Sequence, residues 1–147
     1  MGDLSKHFSR TELSCRCCGR LEIDSRLLSG LEALRERAGV PVVVHAGYRC
    51  PRHNAEVGGV LLSEHLAGLA ADISVSGFSL QRMYELALEI PQFAAGGIGV
   101  YDGDFLHVDV RERQARWARV SGRYVSIGNL VREPELLAKA EEVAHSG

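Results

Sequence analysis

Ser63-Glu64-His65-Leu66-Ala67-Gly68-Leu69-Ala70-Ala71-Asp72 sets an imidazole and a carboxylate in a frame of small side chains. Gly68, Ala70 and Ala71 carry almost no side chain, so the backbone can turn sharply and pack closely there. From Ala71 the chain reads Ala-Asp-Ile-Ser-Val, the period-2 alternation of a half-buried strand. Asp72 and Ser74 fall on one face of that strand, and Ala71, Ile73 and Val75 on the other. His65 precedes it, in a loop or last helical turn that can fold back over the strand. Phe105-Leu106-His107-Val108-Asp109-Val110 alternates in the same way, with Phe105, His107 and Asp109 on one face and Leu106, Val108 and Val110 directed to the core. Together the two stretches offer two imidazoles and at least one carboxylate, a nitrogen and oxygen donor set that suits zinc.

The rest of the chain must supply a body for these strands. At 147 residues it has the length of a single domain with one real core. Its 46% hydrophobic and 24% charged residues are those of an ordinary globular domain. A net charge of -2 gives no general attraction to nucleic acid or to an anionic membrane. No apolar run approaches the roughly 20 residues that span a bilayer, and Met1–Phe8 lacks the apolar segment of a signal peptide. The expectation is a monomer made in the cytoplasm, without a nucleic-acid partner or a membrane span.

Taken in order, Ser9-Arg-Thr-Glu12 has capping-box form and starts a short helix. Cys15-Arg-Cys17-Cys18-Gly19 follows, with the fourth cysteine at Cys50. Four thiols allow two disulfides, one structural zinc site or free buried cysteines. Against zinc, a Cys-x-Cys-Cys run lacks the usual paired Cys-x-x-Cys spacing. Against disulfides, a chain without a signal peptide matures in a reducing compartment. A catalytic role is not expected. Asp24 caps a helix to about Ala38, ended by Gly39 and barred from continuing by Pro41. Val42–Val44 reads as a buried strand leading to Gly47-Tyr48-Arg49-Cys50-Pro51, and Val57-Gly-Gly-Val60 as a flexible wall of a cleft. Ser79 caps a helix to about Ile90, stopped by Pro91, with Met83 as core filler. Asp102-Gly103 marks a hairpin turn between Gly96–Tyr101 and Phe105–Val110. After Arg111 the chain turns basic and polar, and Pro134 opens a last amphipathic helix. His7, His45, His53 and His145 read as surface or loop residues, with His45 and His53 near the cleft.

Ser-x-His-x-x-Gly-x-Ala-x-Asp at Ser63, His65, Gly68, Ala70 and Asp72, followed by His107, resembles the zinc D-Ala-D-Ala carboxypeptidases and their endopeptidase relatives, whose fold the hedgehog signalling domain shares. The resemblance runs from about Leu4 to Trp117. It implies an α+β fold, a small antiparallel sheet flanked by helices, with residues 1–117 as the peptidase domain and 118–147 as an extension packed on it. It implies one catalytic Zn²⁺ on His65, Asp72 and His107. Asp104, three positions before His107, then stands as general base, and Asp109 as a rival base or as the group that orients His107. Arg49 is the candidate for holding a substrate carboxylate or the oxyanion, with Tyr48 and Ser63 expected to touch substrate. The resemblance also favours a structural link between the N-terminal arm and the Cys50 loop.

The expected substrate is a peptidoglycan stem peptide containing a D-amino acid, reached after lysis, in a phage particle or by a non-standard export route. Two alternatives stand beside the peptidase: a hedgehog-type zinc-containing binding module, and a structural component of a phage tail or cell-wall complex. The acid at position 104 and the Arg49 loop favour the enzyme.

Overall fold

Alternation in the two signature stretches becomes a pair of neighbouring strands. In the computed structural model, which describes residues 2–57, 63–121 and 123–126, β2 (Ala70–Val75) and β4 (Phe105–Asp109) run antiparallel with Asp72 directly opposite His107. β1 (Val42–Ala46) pairs with the other edge of β2, and β3 (Gly97–Tyr101) with the other edge of β4, both antiparallel. β5 (Ala115–Val120) lies parallel to β3, and β6 (Arg123–Ser126) closes the sheet antiparallel to β5. The order is β1-β2-β4-β3-β5-β6.

One face of the sheet makes the core. Ala71, Ile73, Ile98, Val100, Leu106 and Val108 are completely buried, as the alternation requires. They pack beneath α2 (Ser25–Ala38) and α4 (Leu80–Leu88), with Leu27, Leu31, Leu34, Leu80, Met83 and Ala87 turned inward, and with Phe93 of α5 (Pro91–Ala94). Each fully buried Leu, Ile or Val of this set contributes about 1.5–3 kcal/mol relative to exposure. The helix ends follow the sequence: the Asp24 side chain accepts from the Arg26 backbone, Gly39 ends α2 in the left-handed region, and Ser79 accepts from Arg82. Ser9 and Glu12 cap α1 (Arg10–Leu13) reciprocally.

Several features depart from the expectation. The sheet is mixed rather than purely antiparallel, because the chain crosses from β4 over the end of β3 before β5 begins. β5 also runs through the expected boundary at Trp117. Val43 is 47% exposed, because β1 lies at the sheet edge and only Val42 and Val44 face the core. A short helix, α3 (Pro51–Glu56), follows the Arg49 loop, and Pro91 starts α5 as well as ending the preceding turn. The Gly58–Val60 approach and the helix expected from Pro134 lie outside the described residues. Among the described residues no helix is long and apolar enough to cross a membrane.

Candidate metal centre

The face opposite the core carries the polar residues. His65 reaches it from a 3₁₀ turn, Glu64–Ala67, that folds back over the start of β2. The Ser63 hydroxyl caps that turn by accepting from the His65 backbone at 3.2 Å. Gly68 leaves it at φ 71, and a Cβ there would stand 2.3 Å from the Glu22 carbonyl oxygen. The small frame is therefore the means by which the turn seats against residues 22–23.

Each imidazole has one nitrogen engaged and one turned to Asp72. Nδ1 of His65 donates to the Gly47 carbonyl at 2.7 Å, which leaves Nε2 3.3 Å from Asp72 Oδ1. Nε2 of His107 donates to Asp109 Oδ2 at 2.7 Å, which leaves Nδ1 3.1 Å from the same Asp72 oxygen. His65, Asp72 and His107 are all buried, and their three donor atoms lie within 4.8 Å of one another. Two imidazoles, each tied from outside through one nitrogen, and one carboxylate make the donor set of a three-ligand zinc site. The residues fit the ion.

Electrostatics follow from this packing. Burial alone would raise the Asp72 carboxyl, but hydrogen bonds from His107 and His65 override it and hold the group well below the usual carboxylate range. Burial works against the charged form of His107, yet Asp109 and Asp72 on its two sides raise its pKa. Asp109, with no solvent exposure, is likewise kept far below the ordinary range against the cost of burial, by His107 and Arg111. Arg111 pairs with Asp109 at 2.7 Å, and the Gly97 backbone N–H donates to it at 2.7 Å. A buried carboxylate persists only when its oxygens are this fully partnered.

A row of residues crosses the sheet at this level: Asp72, His107, Gly99 and Trp117 on β2, β4, β3 and β5. Trp117 lies over Gly99, where a Cβ would come within 2.4 Å of the indole, and its ring centroid is 5.0 Å from that of His107. Its Nε1 donates to the Tyr101 hydroxyl at 3.1 Å, and the Arg111 guanidinium sits over its ring. Gly97, two residues before Gly99, clears the same face for Asp109.

Arg49 enters from the β1–α3 loop. Its Nη2 is 3.5 Å from Asp72 Oδ2, and its Nη1 donates at 3.1 Å to Asn54, a buried residue of α3. Tyr48, expected at the substrate, is buried instead among Cys15, Cys50 and Leu21. Asp104 is exposed at the turn before β4 with φ 70, and none of the hydrogen bonds or ion pairs among the described residues joins it to the centre. His45, on the polar face, pairs with Ser74 at 2.8 Å.

The sequence profile of the peptidase M15 family matches residues 6–109. The chain belongs to the peptidase M15 family. This is the family of the zinc D-Ala-D-Ala carboxypeptidases, and it makes the chain a member of a zinc metallopeptidase family. The M15 match ends at Asp109, short of the expected limit at Trp117, so the indole over His107 comes from sequence beyond the matched segment. No curated protein matches the chain. Sequence reasoning did not find Gly97, Gly99, Arg111 or the Gly47 carbonyl. Alternate glycines in Gly96-Gly97-Ile98-Gly99 were the available signal for the first two.

Proposed function

We propose that the protein is a zinc-dependent hydrolase of peptidoglycan stem peptides, cutting a bond that involves a D-amino acid. The single observation that carries this reading is the His65–Asp72–His107 donor set, with its tautomers fixed from outside, on the polar sheet face of an M15 chain. Zinc held there would supply a Lewis acid that polarises the scissile carbonyl and brings the pKa of water near 7.

His65 offers Nε2, His107 offers Nδ1 and Asp72 offers a carboxylate oxygen. Asp109 fixes the His107 ring and its tautomer. Arg49, held by Asn54 and drawn toward Asp72, presents a planar cation to a substrate carboxylate or to the developing oxyanion. Asp104, at the turn before β4, is the general base of this reading: its carboxylate would take a proton from the attacking water and return it to the leaving amine. Trp117 and Arg111 wall one side of the centre. The protein acts as a monomer on cell-wall peptides.

Purified muropeptides incubated with zinc-loaded protein and read by mass spectrometry test this reading. Released D-alanine marks a carboxypeptidase, and two peptide fragments mark an endopeptidase. Intact muropeptides after prolonged incubation with the folded, zinc-loaded protein would overturn it.

A further inference from the structure

The four cysteines play no part in the site described above, yet they come together. Three stand in the tight turn Cys15–Gly19, which closes with the Gly19 N–H donating to the Cys15 carbonyl at 2.9 Å and with Gly19 at φ 73. The fourth, Cys50, is the N-cap of α3. All four are free thiols whose sulfurs lie within 4.8 Å of one another. Cys15 to Cys17, Cys15 to Cys50 and Cys17 to Cys50 measure 3.5, 3.6 and 3.3 Å.

We propose that Cys15, Cys17, Cys18 and Cys50 form a second metal site, a tetrathiolate that takes a zinc-class divalent ion and clamps the N-terminal arm to the loop bearing Arg49. A tetrahedron with zinc–sulfur bonds of about 2.3 Å has sulfur–sulfur edges of about 3.8 Å, close to the spacing of this cluster. Two disulfides would draw the sulfurs into separate pairs, whereas Cys50 stands nearly as close to Cys15 as to Cys17. Backbone N–H groups also point at sulfur, Cys50 N to Cys15 Sγ and His53 N to Cys50 Sγ, both at 3.4 Å. Such donors favour the thiolate form that ligates a metal. The spacing supports the same conclusion once Cys17 is passed over, because Cys15 and Cys18 are a Cys-x-x-Cys pair followed by glycine.

The position of the cluster gives it a task. Next to Cys50, the Tyr48 N–H donates to the Leu13 carbonyl at 2.9 Å and the Arg49 N–H to the His65 carbonyl at 3.2 Å. The Gly47 carbonyl that fixes the His65 tautomer belongs to the same loop. A metal on the thiols therefore ties residues 13–20 to the loop that carries Arg49 and steadies His65 through Gly47. The thiol site stands whether or not the protein cuts peptidoglycan.

Metal content of the full chain, purified under reducing conditions, loaded with zinc and desalted, tests the proposal. Wild type should hold two zinc ions per chain. His65→Ala/His107→Ala and Cys17→Ser/Cys18→Ser should each hold one. The two substituted cysteines are exposed, and circular dichroism checks that the variant folds. Cobalt(II) on the His65→Ala/His107→Ala protein should show thiolate-to-metal charge-transfer absorption, a readout that needs no cysteine variant. A metal-free histidine variant without that absorption would overturn the proposal. So would intact masses of the natively isolated protein that show the thiols consumed in disulfides.

Discussion

Nε2 of His107 lies 2.7 Å from Oδ2 of Asp109, a carboxylate with no solvent exposure. The pair sits on the same strand face, one pleat apart, so β4 itself sets the ring orientation. With Asp109 also held by Arg111 and the Gly97 N–H, the imidazole has little freedom to turn away from Asp72. Asp109→Asn should therefore weaken zinc binding by about 10–100-fold, the usual cost of losing an outer partner of a ligating histidine. Competition with a chromophoric chelator measures it. Unchanged affinity would show that ring orientation does not depend on this carboxylate.

Asp104 has a different environment, exposed and at the turn rather than behind the ligand. Asp104→Asn should keep zinc and fold but lose most turnover, because an amide cannot accept the proton of the attacking water. Muropeptide hydrolysis and zinc content measured on the same preparation check this. A fully active Asp104→Asn beside a zinc-replete but inactive Asp109→Asn would reverse the two roles.

Arg49 touches Asp72 but is not one of the three donors. Arg49→Ala should lower kcat/KM by about 100–1000-fold, the typical loss on removing one oxyanion donor. Arg49→Lys should recover only part of it, since the planar fork is gone. Zinc content should hold in both. Wild-type turnover by Arg49→Ala would leave the residue a structural partner of Asn54 and Asp72 alone.

Gly97 tests how tightly the Asp109 network is packed. A Cβ at this position would stand 2.3 Å from Asp109 Oδ2 and block its bond to the Gly97 N–H. Gly97→Ala should destabilise the protein by about 1–3 kcal/mol, in the range of an overpacked core, read from the denaturant midpoint. It should also reduce zinc affinity, because Asp109 must move. Wild-type stability and affinity would show that the strands yield at this point without cost.

The shared polar face of Asp72 and His107 was legible because both signature strands alternate with period 2, while His65, on a turn, entered the donor set through the family resemblance. The ends of α2 were legible from Asp24 and Gly39, whose chemistry is local. The row Asp72–His107–Gly99–Trp117 was not, since it depends on three strand registers and on β5 returning parallel to β3. Tyr48, expected at the substrate, was not legible as a buried residue, because only the fold of the loop turns it inward onto Cys15 and Cys50. In the cysteine run, the adjacent Cys17 obscured the spacing of Cys15 and Cys18. Only the fold brings Cys50 to them.

Anomalous diffraction at the zinc edge from crystals of the zinc-loaded protein tests the central claim most directly. The account predicts a peak within bonding distance of His65 Nε2, His107 Nδ1 and an Asp72 carboxylate oxygen, with both histidines keeping their bonds to Gly47 and Asp109. No peak among these three residues in the zinc-loaded protein would contradict it.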